Sequence, residues 1–459
     1  MPLLNIVPIG EPLKKIFLTD QGLDILGFRP GEVITVRAGS SVTEAGLELS
    51  AAGNFVSSGT LKALELPETD RLRLVKKDNR GVQIGPLIGI MITQGKNRRI
   101  PPYSSQGVLL RKFAGYGLST GSLVFVFAPN NVDTINNKIH GLYLTRDETG
   151  TVIWKWHHFP LPDIVYDRIL FRTAEKRILT RNITSFLTKE KHIRYFNPKF
   201  LNKWETHSIL SKNEALNRHL PDTRLYRDIT GLADFLAGYE TVYLKPVNGS
   251  LGQNIIRIDL VNTGISFKYR HGKKTVNGVW QTVDEMEKGL GKFLSKRPYI
   301  MQQGLNLIKF EDRVFDIRVL MQKNGDGHWV NSATVARVAP EGGIFPNVAA
   351  GGEPRNIDTL WKELTSCAWA ESADCQLTEK ISLVAADTLE RALGTFGEIG
   401  LDIGIDNSGN VWIIEVNSKP SRKVFPKDQL NLKNLSITLP IDFAAHMAGF
   451  SSQGEYDPS

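Results

Sequence analysis

The chain has 459 residues, a formal net charge of +8 and an isoelectric point near 9.2, and 41% of its residues are apolar. This length allows about two to four domains with substantial cores, and the composition is typical of globular proteins. The basic residues are scattered and form no arm or stripe that would follow a phosphate backbone, so nucleic-acid binding is not expected as the main function.

The sequence indicates neither a cysteine-based metal site nor a membrane segment. Its two cysteines, Cys367 and Cys375, lack the spacing of metal ligands, and no histidine cluster accompanies them. Free thiols in a reducing compartment are expected, although a single disulfide stays open. The N-terminus has no basic-then-apolar signal pattern and no apolar run reaches membrane-spanning length, so synthesis in the cytoplasm is expected.

The first 80 residues are predicted to form a small β-rich module. Val33–Ala38 and Leu72–Val75 have the pattern of strands, and glycines separate short runs at hairpin-like spacing. No group of catalytic residues occurs here, so a recognition or packing role is the default interpretation.

Residues 81–198 alternate between strand and helix patterns. Ile84–Ile92 predicts a buried strand with a glycine break, Ser104–Tyr116 predicts a helix, and Leu123–Phe127 predicts a second buried strand. A hairpin is expected over Tyr143–Trp156, because an Asp-Glu-Thr-Gly turn separates two strand-like runs.

A charge pair, Asp167-Arg168, ends the next apolar run. It could place charges in a cleft, but a structural salt bridge is the favoured interpretation, since such pairs are common outside active sites.

Residues that suit phosphate binding begin after residue 199. A helix is expected from Lys203, and Lys245 lies on an apolar strand, Thr241–Pro246, where a charge needs a partner. The loop Asn248–Gly252 follows, and its glycines and Ser250 could offer backbone and hydroxyl donors to phosphate. A plain hairpin turn is the alternative for this loop; it is not a Walker loop, because the lysine precedes the glycines.

Three further strands are predicted beyond this loop. The apolar run Tyr299–Leu305 could contact an adenine edge or be an ordinary core strand. In Val314–Met321, Asp316 and Arg318 share one face, and Arg337 lies inside another apolar run. Arginines on strands suit the binding of carboxylate or phosphoryl oxygens.

A hairpin is predicted near the C-terminus, where Leu401–Ile405 and Val411–Val416 flank an Asp-Asn-Ser-Gly turn. Asp402 lies on its first strand, and Glu415 and Asn417, two residues apart, point to one face at the end of the second. Two carboxylates and an amide are hard oxygen ligands of the kind that Mg²⁺ prefers when phosphates complete its coordination. Turn formation and a surface charge are the alternative explanations.

The order of these elements resembles the ATP-grasp superfamily over about residues 200 to 425. The resemblance implies ATP and Mg²⁺ as cofactors, with the metal bound by Asp402, Glu415 and Asn417. It implies phosphate contacts from Lys203, Lys245, Asn248, Gly249, Ser250 and Gly252, and adenine contacts from Gln302 and Gln303. The implied catalytic residues, on the transferred phosphoryl group or the acceptor carboxylate, are Lys245, Arg318 and Arg337.

Four segments also resemble the YheC/YheD family of endospore coat-associated proteins: IGPLIGIMI, LPDIVYDRI, FDIRVLMQ and FPNVAAGGE. The implied fold is α+β, with an ATP-grasp domain at residues 199–450 whose two lobes, about 199–300 and 301–450, grip ATP. An α/β pre-ATP-grasp domain at 81–198 and a β-rich module at 1–80 are expected before it, and a disordered tail at 451–459 after it.

The function implied is that of an ATP-grasp ligase, which activates a carboxylate as an acyl phosphate and transfers it to an amine or similar nucleophile. Its partners would be a small-molecule or peptide carboxylate, an amine, and other spore coat proteins, with neither nucleic acid nor membrane. Two alternatives stay open: a nucleotide-binding coat protein without turnover, and a small-molecule kinase. The protein is expected in the cytoplasm at synthesis, with the spore coat as a later location.

Overall fold

The computed structural model describes residues 3–93, 106–249, 253–271, 274–341, 343, 346, 351–364, 375–422, 425–426 and 429–450. Within these residues the strands form a closed barrel and three open sheets, each built from a continuous stretch of the chain. No helix in the described ranges is long and apolar enough to cross a membrane.

The first stretch forms the barrel, closed in the order β1-β5-β2-β4-β3-β7-β6. Its strands are β1 (Leu3–Ile9), β2 (Lys15–Leu18), β3 (Val33–Ala38), β4 (Ser41–Leu49), β5 (Phe55–Ser57), β6 (Leu72–Asp78) and β7 (Gly81–Gly85), with helices α1 (Asp20–Leu26) and α2 (Ser58–Ala63). The prediction of a strand at Val33–Ala38 is confirmed, and its alternate side chains point into the barrel core. Barrel closure extends beyond the predicted module boundary at residue 80, because β7 belongs to it.

The second stretch forms a mixed sheet in the order β10-β11-β9-β8-β13-β14, with β12 paired to β11. Its strands are β8 (Leu87–Ile92), β9 (Leu123–Phe127), β10 (Val132–Asp133), β11 (Lys138–Arg146), β12 (Val152–Pro160), β13 (Ile164–Arg168) and β14 (Arg194–Phe196). Its helices are α3 (Gly107–Thr120), a short 3₁₀ helix (Pro129–Asn131), α4 (Arg172–Glu175) and α5 (Ile178–Lys189). Strands β9, β8, β13 and β14 run parallel to one another.

Two predictions for this stretch need correction. The single strand expected at Ile84–Ile92 is two strands in different sheets, β7 and β8. The first strand ends at Gly85, which has φ +155°, because the next residue, Pro86, has no backbone N–H to donate to the neighbouring strand. The helix expected over Ser104–Tyr116 begins at Gly107 and continues to Thr120, and residues 104–105 lie outside the described ranges.

The third stretch forms an antiparallel sheet in the order β15-β20-β16-β17-β18-β19. Its strands are β15 (Thr223–Leu225), β16 (Thr241–Pro246), β17 (Ile256–Val261), β18 (Gly264–His271), β19 (Lys274–Trp280) and β20 (Tyr299–Gln303). Its helices are α6 (Lys203–Leu210), α7 (Glu214–Asn217), α8 (Ile229–Tyr239) and α9 (Val283–Leu294). Helices α8 and α9 cover one face of the sheet with an apolar core.

The fourth stretch forms a sheet in the order β24-β23-β22-β25-β26, with β21 paired to β22. Its strands are β21 (Lys309–Phe310), β22 (Arg313–Lys323), β23 (Trp329–Val338), β24 (Glu353–Asn356), β25 (Glu398–Ile405) and β26 (Val411–Asn417). Its helices are α10 (Ile357–Leu364), α11 (Cys375–Leu393) and α12 (Leu430–Met447). One face is apolar and packs on α11, which leaves the charged residues of β22 and β25 on the opposite face.

A buried ionic cluster connects the second and fourth sheets. Glu398 on β25 is fully buried and accepts hydrogen bonds from the guanidinium groups of Arg168 and Arg422 and from the hydroxyl of Tyr166, the last at 2.6 Å. Burial alone would raise the pKa of Glu398, but Arg422 and Arg168 outweigh it and hold the pKa below its ordinary value. The carboxylate is therefore charged and holds the two sheets together.

We expect Glu398→Gln to destabilise the protein by about 3–5 kcal/mol, because it leaves two buried guanidinium groups without their counter-ion. The measurement is the urea midpoint of unfolding. Asp387→Asn is the matched control: its ion pair with Arg391 is exposed (2.8 Å), and its loss should cost less than about 0.5 kcal/mol. Equal midpoints for Glu398→Gln and the control would contradict the role of this cluster.

Candidate functional site

The three oxygen-bearing side chains predicted as metal ligands lie on one face of the β25–β26 hairpin. The register places Asp402 directly opposite Glu415 and Gly400 opposite Asn417, with a bulge after Asp402. Directly opposed residues of antiparallel strands point to the same face, and so do residues two apart on one strand. The fold therefore gathers these groups, and their role as metal ligands stays a prediction.

Asp402 is held by both predicted arginines. Arg318, its cross-strand neighbour on β22, donates from Nε to Asp402 Oδ1 at 2.5 Å, and Arg337 Nη2 lies 2.9 Å from Asp402 Oδ2. Burial would raise the pKa of Asp402, but these two guanidinium groups outweigh it and hold the pKa at about 2. The carboxylate is thus ionised and fixed in orientation.

Arg337 has a second partner, Asp316, which lies directly opposite it on β22. Its Nε donates to Asp316 Oδ1 at 2.7 Å, and its Nη2 donates to the other oxygen, so the pair is bidentate. Burial and the nearby charge of Asp402 raise the pKa of Asp316 to about 6, against the opposing effect of Arg337. Two arginines and two aspartates therefore form one charge-balanced row across β23, β22 and β25.

Lys203 reaches the same face from the start of α6. Its Nζ donates to Glu415 Oε1 at 2.7 Å and to the carbonyl of Gly249 at 3.2 Å. The side chain of Asn202 caps this helix by accepting from the N–H of Glu205 at 2.9 Å, which fixes where the helix begins. Lys203 thus connects the hairpin that carries Glu415 with the predicted phosphate loop.

Lys245 lies on β16 and is buried. Its Nζ donates to the side-chain carbonyl of Gln302, whose Nε2 donates to Thr223 Oγ1 at 3.0 Å. Burial lowers the pKa of Lys245 to about 8; the charge of Lys203 acts in the same direction, and those of Glu415 and Asp402 oppose it. The ammonium group of Lys245 therefore interacts electrostatically with both carboxylates of the hairpin.

The remaining residues predicted to contact adenine or phosphate lie partly in hydrogen-bonded turns and strands and partly outside the described ranges. The N–H of Gln303 donates to the carbonyl of Asp222 at 2.9 Å, and its side chain accepts from the N–H of Asp222 at 3.1 Å, so Gln303 pairs β20 with β15. The N–H of Gly249 closes a turn on the carbonyl of Pro246 at 3.0 Å, next to Asn248. Ser250 and Gly252 lie outside the described residues.

Sequence reasoning did not assign a role to three charged residues that the structure shows in this face or in the neighbouring second sheet's contacts with it. Asp316 could have been found from the sequence, since it lies two residues from Arg318 and therefore on the same face of a buried strand. The other two, Lys419 and Arg172, follow predicted strands but have no motif of their own. The Asp167-Arg168 pair is structural, as favoured, although the partners are new: Asp167 pairs with Lys419 at 2.6 Å, and Arg168 with Glu398.

The donor set fits a magnesium–phosphate ligand better than a metal held by protein alone. In the described part of the chain, no three His, Cys, Asp or Glu side chains converge on a metal-sized space. The hairpin supplies two carboxylates and an amide, which is the number of protein oxygens expected when phosphates provide the rest. Two lysines near these oxygens suit phosphate charge, Lys203 and Lys245, while Arg318 and Arg337 are paired with Asp402.

Comparison with known proteins gives the family. The model of YheC/D-like ATP-grasp proteins matches residues 192–447. The chain belongs to this family. The expected fold class is confirmed with it: an ATP-grasp fold that follows an α/β sheet and a β-rich N-terminal barrel.

Two relatives come from Bacillus subtilis (strain 168). The chain is 28% identical over 400 residues to the endospore coat-associated protein YheD, a match covering 86% of this chain and 85% of YheD. It is 24% identical over 304 residues to the endospore coat-associated protein YheC, covering 66% of this chain and 82% of YheC. Among solved structures, D-alanyl-alanine synthetase A from Vibrio cholerae matches with a TM-score of 0.44 and 13% identity, covering 80% of this chain and 98% of that one.

The lowered pKa of Lys245 predicts a pH dependence of stability. Between the folded pKa of about 8 and the ordinary value of 10.5, the unfolded chain binds a proton that the folded chain does not. The free energy of unfolding should therefore rise with pH over this window, by roughly 1 kcal/mol per pH unit. Below the window both states bind the proton, so Lys245 should add no pH dependence there.

Lys245→Met should remove that contribution, which can be measured by urea unfolding at a series of pH values from 7 to 10.5. Lys288→Met, on the exposed face of α9, is the matched control and should keep the wild-type dependence. Parallel stability curves for wild type and Lys245→Met would show that Lys245 titrates as an ordinary lysine.

Proposed function

We propose that this protein is an ATP-dependent ligase that joins a carboxylate to an amine or similar nucleophile. The observation that carries the proposal is the alignment of Asp402 with Glu415 on one sheet, within electrostatic reach of Lys203 and Lys245. Membership of the ATP-grasp family supports a nucleotide as the ligand at that place.

Asp402, Glu415 and Asn417 would hold Mg²⁺, which when bound neutralises phosphate charge. Lys203 and Lys245 would bind phosphate oxygens in exchange for their present partners, Glu415 and Gln302. In the first step an acceptor carboxylate oxygen attacks the γ-phosphorus, the bond to the β-phosphate oxygen breaks, and ADP leaves. An amine then attacks the acyl carbon, loses a proton, and displaces inorganic phosphate.

The protein's contribution to these steps is position and charge. Arg318 and Arg337 fix Asp402, so the metal-binding oxygens would be preorganised before the nucleotide arrives. Lys245 is buried, and a cation in a low-dielectric site interacts more strongly with a phosphoryl oxygen than the same cation in water.

A nucleotide-binding spore coat protein without turnover is the second candidate. It is favoured by one observation: the charged groups of the site already satisfy one another, as Glu415 does with Lys203. The names of the two relatives support an association with the endospore coat, whichever candidate holds. A kinase that stops after phosphoryl transfer shares the first step of the ligase reaction.

Glu415→Gln should reduce ADP release by about 100-fold, because it removes a metal-binding charge and the counter-ion of Lys203. The measurement is ADP formed from Mg·ATP in the presence of pooled amino acids and cell-wall precursors. Glu205→Gln is the matched control. Glu205 lies near the start of α6, the helix that carries Lys203, but pairs with Lys199 at 2.9 Å, so its substitution should leave the rate unchanged. ADP release by Glu415→Gln at the wild-type rate would refute the site.

Mass spectrometry of the same reactions separates the three candidates. A ligase should give a product with the summed mass of acid and amine less one water, and should release phosphate. A kinase would give an acceptor that has gained a phosphoryl group without any amine. Stabilisation by Mg·ATP without ADP release would identify the coat protein without turnover.

A further inference from the structure

Arg172 lies at the carboxyl edge of the parallel strands of the second sheet. Strand β13 ends at Arg168, and α4 begins with Arg172. Strand β8 has β9 on one side and β13 on the other, so the chain changes direction across the sheet at this strand. In open α/β sheets, ligands bind outside the carboxyl ends of the strands at such a switch point.

The guanidinium group of Arg172 is only partly satisfied. Its Nη2 donates to the carbonyl of Leu201, and the guanidinium carbon Cζ lies 5.0 Å from the centre of the Phe200 ring. Its Nε is buried and has no hydrogen-bond partner among the described residues. A buried donor without an acceptor is energetically unfavourable, so a ligand that supplies an acceptor would be favoured here.

A second unsatisfied group lies at the same edge of the sheet. Thr93 directly follows β8, whose last residue, Ile92, is in register with Arg168. The hydroxyl of Thr93 is buried and has no hydrogen-bond partner in the described part of the chain. Two buried polar groups without partners at one sheet edge indicate a place for an external polar ligand.

Arg172 is also coupled to the candidate nucleotide site. It binds the carbonyl of Leu201, two residues before Lys203, and Lys203 holds Glu415 at 2.7 Å. Burial lowers the pKa of Arg172, and the charges of Glu175 and Glu415 oppose that shift. These carboxylates favour a singly charged ligand over a dianionic phosphate, because each added negative charge is repelled.

The arginines expected to orient an acceptor already have carboxylate partners. Arg318 is bound to Asp402, and Arg337 is bound to both Asp316 and Asp402. Arg172, by contrast, forms no ion pair with any described residue, and its Nε–H, which has no acceptor among them, could donate to a carboxylate oxygen.

We propose that Arg172 binds the carboxylate of the acceptor that is activated at the nucleotide site. This inference rests on the proposed ligase function and names the residue that would recognise its carboxylate substrate, a guanidinium group at the carboxyl edge of β13. Arginine suits this role because its planar fork matches the two oxygens of a carboxylate.

The test is thermal unfolding of the full chain with Mg·AMPPNP bound, so that the nucleotide phosphates already occupy their own site. Acetate, glutamate and diglycine are added at millimolar concentration, with ionic strength matched by sodium chloride. Wild type should gain a further increase in unfolding temperature with at least one of these carboxylates. Arg172→Gln should keep the Mg·AMPPNP shift and bind the carboxylate roughly tenfold more weakly or worse.

Two further variants separate recognition from a structural role. Arg172→Lys keeps the charge without the fork and should give an intermediate carboxylate shift, whereas Arg181→Gln, an exposed arginine on α5, should behave as wild type. No carboxylate shift in wild type, or the same shift in Arg172→Gln, would overturn the inference while leaving the nucleotide site intact. Absence of any Mg·AMPPNP shift in wild type would instead refute the proposed function, and this inference with it.

Discussion

The opposition of Asp402 and Glu415 across β25 and β26 is the constraint on which the candidate site depends. Two carboxylates side by side repel each other, and each needs its own compensation. Asp402 receives it from Arg318 and Arg337 within the sheet, and Glu415 from Lys203 at the start of α6. The site is therefore a balanced set of charges before any ligand binds, and a ligand must replace contacts that already exist.

The segment that leaves this hairpin is fixed from both sides. Lys419 pairs with Asp167 at 2.6 Å, and Arg422 binds the buried Glu398, so the chain just after Asn417 is attached to the second sheet and back to β25. Asn197 strengthens the junction, because its Nδ2 donates to the carbonyl of Glu398 at 2.9 Å and to that of Ser418. Oxygens at the end of β26 are thus positioned by contacts with two sheets, which suits a site that needs fixed geometry.

Sequence periodicity predicted the local elements of this region, because short-range patterns determine them. The Asp-Asn-Ser-Gly turn and its apolar flanks correctly indicated the β25–β26 hairpin, and alternation along β22 correctly placed Asp316 and Arg318 on one face. Choice of partner could not be predicted in this way. Arg168 and Glu398 are 230 residues apart, and Asp167 and Lys419 are 252 apart, so no spacing rule relates them. The roles of the site residues stay predictions for the same reason: residue type limits what a side chain can bind, but its neighbours decide what it does bind.

The cations of the site fall into two groups with different bonding. Arg318 and Arg337 are bound to carboxylates inside the sheet by short, charge-assisted contacts, and removing them would leave buried charges unpaired. Among the described residues, Lys245 donates a hydrogen bond to a neutral amide oxygen and lies 5.6 Å from the centre of the Tyr243 ring, without a carboxylate in direct contact. Burial also lowers its pKa, so its charge is less compensated than the charges of the two arginines. A phosphate oxygen would be a better partner for that lysine than Gln302, whereas it would be a poorer partner for Arg337 than the bidentate Asp316. On this argument the arginines would maintain the shape of the site and the lysines would exchange partners if a nucleotide bound, and an acceptor carboxylate would be recognised by a cation outside this row.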